Sequence, residues 1–175
     1  MDLRRLRPLD VVTALFGAAL IGLLWAPWYR APAGITGAYF DRAVGAPAKA
    51  GVAATIDFNA WQAMAVNDVI LFIAGLMGIW VAVATASYST GAVPIAAASF
   101  ATFAGLLASV LAAIRLIWPP DLGPGPTDRA VGVWLGVAAA IGLTICAAAS
   151  MRDERRGVYA QVPVTPLPAP RGSGA

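Results

Sequence analysis

Two charged side chains interrupt apolar stretches of this sequence and are its strongest candidates for chemistry or specific pairing. Arg115 lies in SVLAAIRLIWPPD, one helical turn before the run ends, and Asp68 lies in AWQAMAVNDVIL, about two turns after a helix start at Asn59. If the two runs form antiparallel neighbouring helices, both charges lie at similar depth, where a partner is the usual remedy for a charge in lipid. The sequence therefore predicts an Asp68–Arg115 ion pair. Two alternatives stay open: Arg115 extends alone to the headgroups, or both charges line an outward-facing cavity.

Other residue types that carry catalysis are scarce. The sequence has no histidine and one cysteine, Cys146, and its carboxylates show no metal-ligand spacing. No glycine-rich phosphate loop follows a strand pattern, and no module typical of a nucleic-acid binder is present. We therefore expect a protein that is not an enzyme and takes no cofactor, metal or nucleic acid. Cys146 is interpreted as a small core hydrophobe.

The composition indicates which elements must position the two charges. Hydrophobic residues make up 59% of the 175 residues and charged residues 12%, with a mean hydropathy of +0.74, which is too apolar for an ordinary soluble domain. Continuous apolar runs favour helices over the alternating strands of a membrane barrel. The fold class is all-α, a bundle of four transmembrane helices at 11–28, 61–86, 93–118 and 130–151.

The first run also resembles a secretory signal, because a basic start precedes it and small residues follow it. It is long for such a signal, and it ends in Trp25, Pro27, Trp28 and Tyr29, which suit a membrane interface better than a cleavage site. We expect the first span to be retained.

Arginines cluster at both ends of the apolar region. Three arginines lie within residues 4–7, and three more lie within residues 152–156. Because positive residues favour the cytoplasmic side, both termini are expected there, in a multi-pass plasma-membrane protein. The expected cytoplasmic segments are residues 1–10 and a proline-rich, disordered tail at 157–175.

Tryptophans mark the opposite membrane face. Indole rings favour the headgroup boundary, where the ring meets lipid and the N–H finds a partner. With both termini inside, the sequence predicts an outer aromatic belt, and the alternative is a platform for a lipid or another apolar ligand. The outer interfacial residues are Trp25, Trp28, Trp61, Trp118 and Trp134.

The loop at 30–59 is the longest outer connector. Within it, GVAATIDF is predicted to pair with TGAYFD as a short β-hairpin, which is the one strand signal in the sequence. Asn59 and Gln62 have the spacing of a capping box, so we expect the second span to begin there.

Gly132 and Gly136, in GVWLG, have the spacing that lets helix backbones approach closely. The close contact that they predict lies either within the chain or between the copies of a homo-oligomer.

The motifs LLWAPWY, AWQAMAVNDVIL, IRLIWPPD and ASMRDERRG, in this order, resemble small four-span integral membrane proteins of high-GC bacteria, a group with no assigned function. They extend over most of residues 23–157. The resemblance implies a bacterial inner-membrane location and supplies no catalytic residue. The sequence thus favours a structural or accessory subunit that binds lipid, a membrane-protein partner or a second copy through its outer face. The alternative is a small transporter or channel that uses Asp68 and Arg115.

Overall fold

The computed structural model describes residues 6–32, 55–64, 66–88, 92–122 and 126–160, with residues 154–160 as backbone alone. The chain is mostly helical and carries a small antiparallel sheet. The helices are α1 (Pro8–Leu23), α2 (Ala60–Ala63), α3 (Asn67–Ser87), α4 (Ala92–Ile117) and α5 (Val131–Ala160). The strands are β1 (Pro27–Pro32), β2 (Thr55–Asn59) and β3 (Asp128–Arg129).

Three helices are long and apolar enough to cross a membrane: α3, α4 and the part of α5 from Val131 to Asp153. These helices give the protein membrane character. Helix α1 is apolar as well but has 16 residues. At a rise of 1.5 Å per residue it is about 24 Å long, which is short of the roughly 30 Å hydrocarbon core.

Helix α1 begins at Pro8, three residues before the start of the predicted span at 11–28, and it ends at Leu23, five residues before the end of that span. Pro8 lies at its first position, where a missing N–H leaves no helical bond unmade, and the Arg7 N–H donates to Asp10 Oδ2 at 3.3 Å. After Leu23 the chain turns, and from Pro27 it is extended in β1. Because a proline disfavours helical geometry in the residue before it, Pro27 helps to end the helix early.

The predicted second span at 61–86 is divided into two helices. Its start is capped as expected: the Gln62 N–H donates to Asn59 Oδ1 at 2.9 Å, and the Asn59 N–H donates to Gln62 Oε1 at 3.1 Å. Helix α2 ends after one turn, because Met64 adopts an extended conformation with φ −136° and ψ 102°. The Met64 side chain is buried in the core, so its packing favours this break. Helix α3 starts at Asn67.

The long helices pack side by side in the cyclic order α1, α3, α4, α5. Helices α1 and α3 approach closely through glycines: a Cβ built on Gly75 would lie 2.8 Å from the Gly17 carbonyl oxygen, and one on Gly78 would lie 3.2 Å from Gly17 Cα. A side chain at these positions would push the two helices apart. The core residues between the helices include Leu20, Leu71 and Leu143.

Helix α5 extends beyond its membrane-length part. It continues to Ala160, past residue 157, where the sequence places the start of the disordered tail. Residues 161–175 lie outside the described residues.

The three strands form one antiparallel sheet in the order β2, β1, β3. In β1, Tyr29 is the register partner of Phe58 on one side and of Arg129 on the other. Strand β2 overlaps the predicted strand GVAATIDF at residues 55–58 and ends one residue later, at Asn59. The partner that the structure gives it is β1. The predicted partner at 36–41 lies outside the described residues.

Candidate functional site at the sheet end

The sheet meets four helix ends at one end of the molecule, which we call the sheet end. It comprises the three strands, α2, the last turns of α1 and α4, and the first turns of α3 and α5. Backbone bonds attach the strands and α2 to the helices, since the Ala60 N–H donates to the Leu24 carbonyl oxygen at 3.1 Å and the Ala130 N–H donates to the Trp28 carbonyl oxygen at 2.9 Å. Both predicted site charges lie at this end.

Trp28 fills the space between β1 and α5. Its side chain is 0% exposed, and its Nε1 donates to the Leu23 carbonyl oxygen at 2.6 Å. An added Cβ on Gly136 would lie 2.6 Å from Trp28 Cη2, and one on Gly132 would lie 2.9 Å from Trp28 Cδ1. The two glycines therefore leave room for the indole ring. The sequence predicted that these glycines let another helix backbone approach, but their close neighbour within the chain is β1 with its Trp28 side chain.

The predicted aromatic belt divides into exposed and buried rings. Trp25, Trp118 and Trp134 are 58%, 67% and 55% exposed. Trp61 is half-buried, its ring centroid lies 5.7 Å from that of Trp25, and its Nε1 is buried without a hydrogen-bond partner. The assignment of Trp28 to the belt is wrong, because protein surrounds this side chain. Composition alone does not separate a tryptophan that packs on glycines of α5 from one that faces the headgroups.

Tyr29 joins the sheet to α4. Its side chain is buried, and its hydroxyl donates to the Arg115 carbonyl oxygen at 3.0 Å. Burial raises the pKa of Tyr29 to about 12, and the positive charges of Arg115 and Arg129 oppose this rise. The phenol therefore stays protonated at physiological pH and remains a hydrogen-bond donor to the end of α4.

Two arginines lie at the C-terminal end of α4. Arg129 donates from Nε to the Leu116 carbonyl oxygen at 2.5 Å and from Nη2 to the Ile117 carbonyl oxygen at 3.1 Å. It thereby satisfies carbonyls that the end of a helix leaves open. Arg115 lies in the last helical turn, where the helix dipole favours a positive charge. Its Nε is buried and has no hydrogen-bond partner.

The predicted ion pair between Asp68 and Arg115 is not formed. Asp68 is 3% exposed, and its Oδ1 accepts a hydrogen bond from the Val69 N–H at 2.8 Å. An ion pair at the same end joins Arg30 Nε to Asp57 Oδ1 at 2.8 Å, between β1 and β2. The break before α3 is the physical reason: it places Asp68 in the first turn of α3, where the helix dipole favours an acid. Each of the two predicted charges is thus stabilised by the end of its own helix.

A buried polar pair that the sequence reasoning missed lies at the opposite end, which we call the tail end. It comprises the first turn of α1 and the part of α5 around Ser150. Asp10 and Ser150 are both buried, and the Ser150 hydroxyl donates to Asp10 Oδ1. In the sequence, Asp10 looks like part of the charged segment 1–10. The available signal is its place three residues after Arg7, in the first turn of a helix that starts with proline.

Two apolar grooves lie between helices, and neither is lined by a charged side chain. One of about 520 Å³ lies between α1 and α5, beside Phe16 and Leu135. The other, of about 430 Å³, lies between α3 and α4, beside Trp80 and Phe100. Within the described ranges, no group of three or more His, Cys, Asp or Glu side chains is placed to hold a metal ion.

No family model matches this chain, and neither does any curated protein or solved structure. The resemblance carried by its motifs stays a prediction.

Proposed function

We propose that the chain is a four-span plasma-membrane protein with both termini in the cytoplasm and the sheet end on the outer face. The contacts of α1 support its role as a membrane span in addition to α3, α4 and α5. Its first turn meets Ser150 through Asp10, and the strand that follows it places Trp28 against Gly132. Helix α1 and the turn after it therefore cover the same depth as α5 between Gly132 and Ser150, which is about 27 Å at 1.5 Å per residue.

The arginine clusters support the orientation. Arg7 precedes α1 at the tail end, and Arg152 follows Ser150 there. Positive residues next to a span favour the cytoplasmic side, so this assignment places the sheet end outside.

Within this frame, the protein is a non-enzymatic accessory subunit that binds lipid or a membrane-protein partner through its outer face. The observation that carries the proposal is the contrast between buried aromatic side chains inside the sheet end and exposed tryptophans at its edge, which we call the rim. Trp28 and Tyr29 are fully buried and pack the sheet onto the helices. Tryptophan is enriched both at headgroup level and in the centres of protein interfaces. The exposed rim consists of Trp25, Trp118 and Trp134.

The positions of Asp68 and Arg115 do not favour the transporter or channel alternative. It requires Asp68 and Arg115 to line a shared cavity that opens outward. Each of these residues instead lies at the end of its own helix, and neither lines the two grooves.

Photo-crosslinking from defined positions tests the proposal. A photoreactive amino acid replaces Trp118 or Trp134 in the rim, and a matched control replaces Ile145, which is 62% exposed. Ile145 lies three helical turns beyond Trp134 on the same face of α5, so it differs from Trp134 in depth and not in direction.

A discrete protein adduct, or adducts of one lipid class, at positions 118 and 134 and not at 145 supports the proposal. The same mixture of lipid adducts at all three positions contradicts it, because the rim would then only face the bilayer. Solute flux into proteoliposomes that Asp68→Asn abolishes would contradict it as well and would favour the transporter.

A further inference from the structure

Two arginine side chains at the end of α4, Arg115 and Arg129, have no carboxylate partner among the described residues. Neither Arg115 nor Arg129 forms a salt bridge with any part of the chain that the structure describes, whereas Arg30, in the same sheet, pairs with Asp57. The Arg115 side chain is partly removed from water, which is unfavourable for a guanidinium without a counter-charge, whereas Arg129 is exposed. The unpaired arginines therefore distinguish this place from the rest of the sheet end.

Both arginines are positioned at the last turn of α4. Arg129 places two of its N–H groups on the Leu116 and Ile117 carbonyl oxygens, and the Arg115 backbone is held by the Tyr29 hydroxyl. The charges of both arginines act on that hydroxyl, since each lowers the pKa of Tyr29 against the effect of burial. Both arginines thus lie at the same end of α4.

Helix capping accounts for Arg129 and leaves Arg115 unexplained. Arg129 satisfies two open carbonyls, and its remaining N–H groups are free to donate elsewhere. The Arg115 side chain gains from the helix dipole, but its Nε is buried and has no partner. The described residues show no acceptor for the terminal nitrogens of Arg115 either, and these are not buried, so an anion from outside the chain fits this half-buried guanidinium.

We propose that Arg115 and Arg129 bind a phosphate group at the membrane surface. This inference rests on the proposed function, which places the sheet end among the outer headgroups. A guanidinium donates paired hydrogen bonds to phosphate oxygens and is less strongly hydrated than an ammonium, so it suits a half-buried phosphate site. Trp118, which follows α4 and is exposed, lies next to this site in the chain, at the depth that indoles prefer. The phosphate belongs either to a phospholipid headgroup or to a free anion.

Native mass spectrometry of the full chain in mild detergent, titrated with phosphatidylglycerol, tests the site. Arg115→Gln should weaken the dissociation constant about tenfold, because the charge-assisted contacts of one guanidinium are lost. Arg30→Gln is the matched control. Arg30 is an exposed arginine of the same sheet that already has a carboxylate partner, so its loss should change the constant less than about twofold.

Arg115→Lys keeps the charge and removes the paired donors, and it should bind more weakly than the native chain and more tightly than Arg115→Gln. If Arg115→Gln does not fold, as judged by its helical circular dichroism, the lysine variant decides, and an unchanged constant in it overturns the proposal. Equal affinity of Arg115→Gln and the native chain overturns it too.

Two further binding measurements test whether phosphate is needed and whether it belongs to a lipid headgroup or to a free anion. Competition by inorganic phosphate at millimolar concentration assigns the site to a free anion, and its absence assigns the site to a lipid headgroup. A galactolipid with the same acyl chains lacks phosphate, and equal binding of this lipid overturns the proposal. Failure of this site is distinguishable from failure of the proposed function, because crosslinking from position 134 reports on the rim without involving Arg115.

Discussion

The sheet end and the tail end hold their buried polar groups in different ways. At the sheet end, the buried side chains of Trp28 and Tyr29 donate to backbone carbonyl oxygens of neighbouring elements. At the tail end, Asp10 and Ser150 join α1 to α5 through a bond between two side chains. A backbone carbonyl is present whatever residue carries it, so acceptors at the sheet end tolerate substitution. The tail end depends on the identity of both partners.

The largest loss of stability is expected when a side chain packed inside the sheet end is removed. Trp28→Ala removes a fully buried indole and its hydrogen bond to Leu23, and should lower the free energy of unfolding by about 3–5 kcal/mol. Trp134→Ala is the matched control, because this ring is 55% exposed, and a loss of about 0.5 kcal/mol or less is expected for it. Thermal unfolding in detergent, followed by circular dichroism, measures both. Equal losses would mean that Trp28 is not part of the core.

Substitutions at the tail end should lower the free energy of unfolding by less, and the effects of substituting Asp10 and Ser150 should depend on each other. Asp10→Ala removes the acceptor of the buried Ser150 hydroxyl, which should cost about 1–3 kcal/mol. Ser150→Ala should destabilise as well, because it removes a donor from the Asp10 carboxylate. The double substitution should cost less than the sum of the two single ones, since they remove the same bond. Additive losses in the same unfolding assay would show that the two side chains act separately. Asp153→Ala serves as the control, because Asp153 is exposed at the same end.

Tyr29 should make stability depend on alkaline pH. Because burial raises its pKa from the usual value of 10 to about 12, the folded chain keeps the phenolic proton over a range in which the unfolded chain loses it. Its contribution to stability is complete below pH 10 and is lost as the pH rises through 12. Tyr29→Phe should cost about 1 kcal/mol at pH 8 through the lost bond to Arg115. Unfolding measured at several alkaline pH values should show a shallower decline for this variant, and an unchanged decline would assign the titration to another group.

The smallest effect is expected for the two charges that are not paired. Asp68→Ala and Arg115→Ala each remove a charge from the favourable end of a helix, an interaction that typically contributes about 0.3–1 kcal/mol. Their combined effect should equal the sum within about 0.5 kcal/mol, because no salt bridge joins them. Recovery of stability in the double variant would show that an ion pair forms in the membrane.

The sequence predicted what local pattern determines. Asn59 and Gln62 form their capping box because the spacing of the two residues suffices for it. The apolar runs similarly specify the long helices. Asp68 could not be placed correctly, because its depth depends on the break at Met64, which follows from how that side chain packs in the core.

The partners of Trp28 and Asp10 depend in the same way on contacts between distant segments. Trp28 packs against glycines more than 100 positions later in the chain, at 132 and 136, and Asp10 meets Ser150. A pattern of residue types within one segment contains no information on which other segment lies beside it. The antiparallel order of the predicted spans indicates which helix ends lie together, but it does not indicate which side chains at those ends are in contact.

Cysteine labelling in intact cells tests most directly that the sheet end is the outer face. In a Cys146→Ala background, Asp128→Cys places a thiol in β3 of the sheet end, and Asp153→Cys places one on α5 at the tail end; both aspartates are exposed. A membrane-impermeant maleimide should label position 128 in intact cells, and position 153 only after the cells are broken. Labelling of position 153 in intact cells, with position 128 protected until lysis, would contradict the orientation and place the tryptophan rim and the two unpaired arginines on the cytoplasmic side.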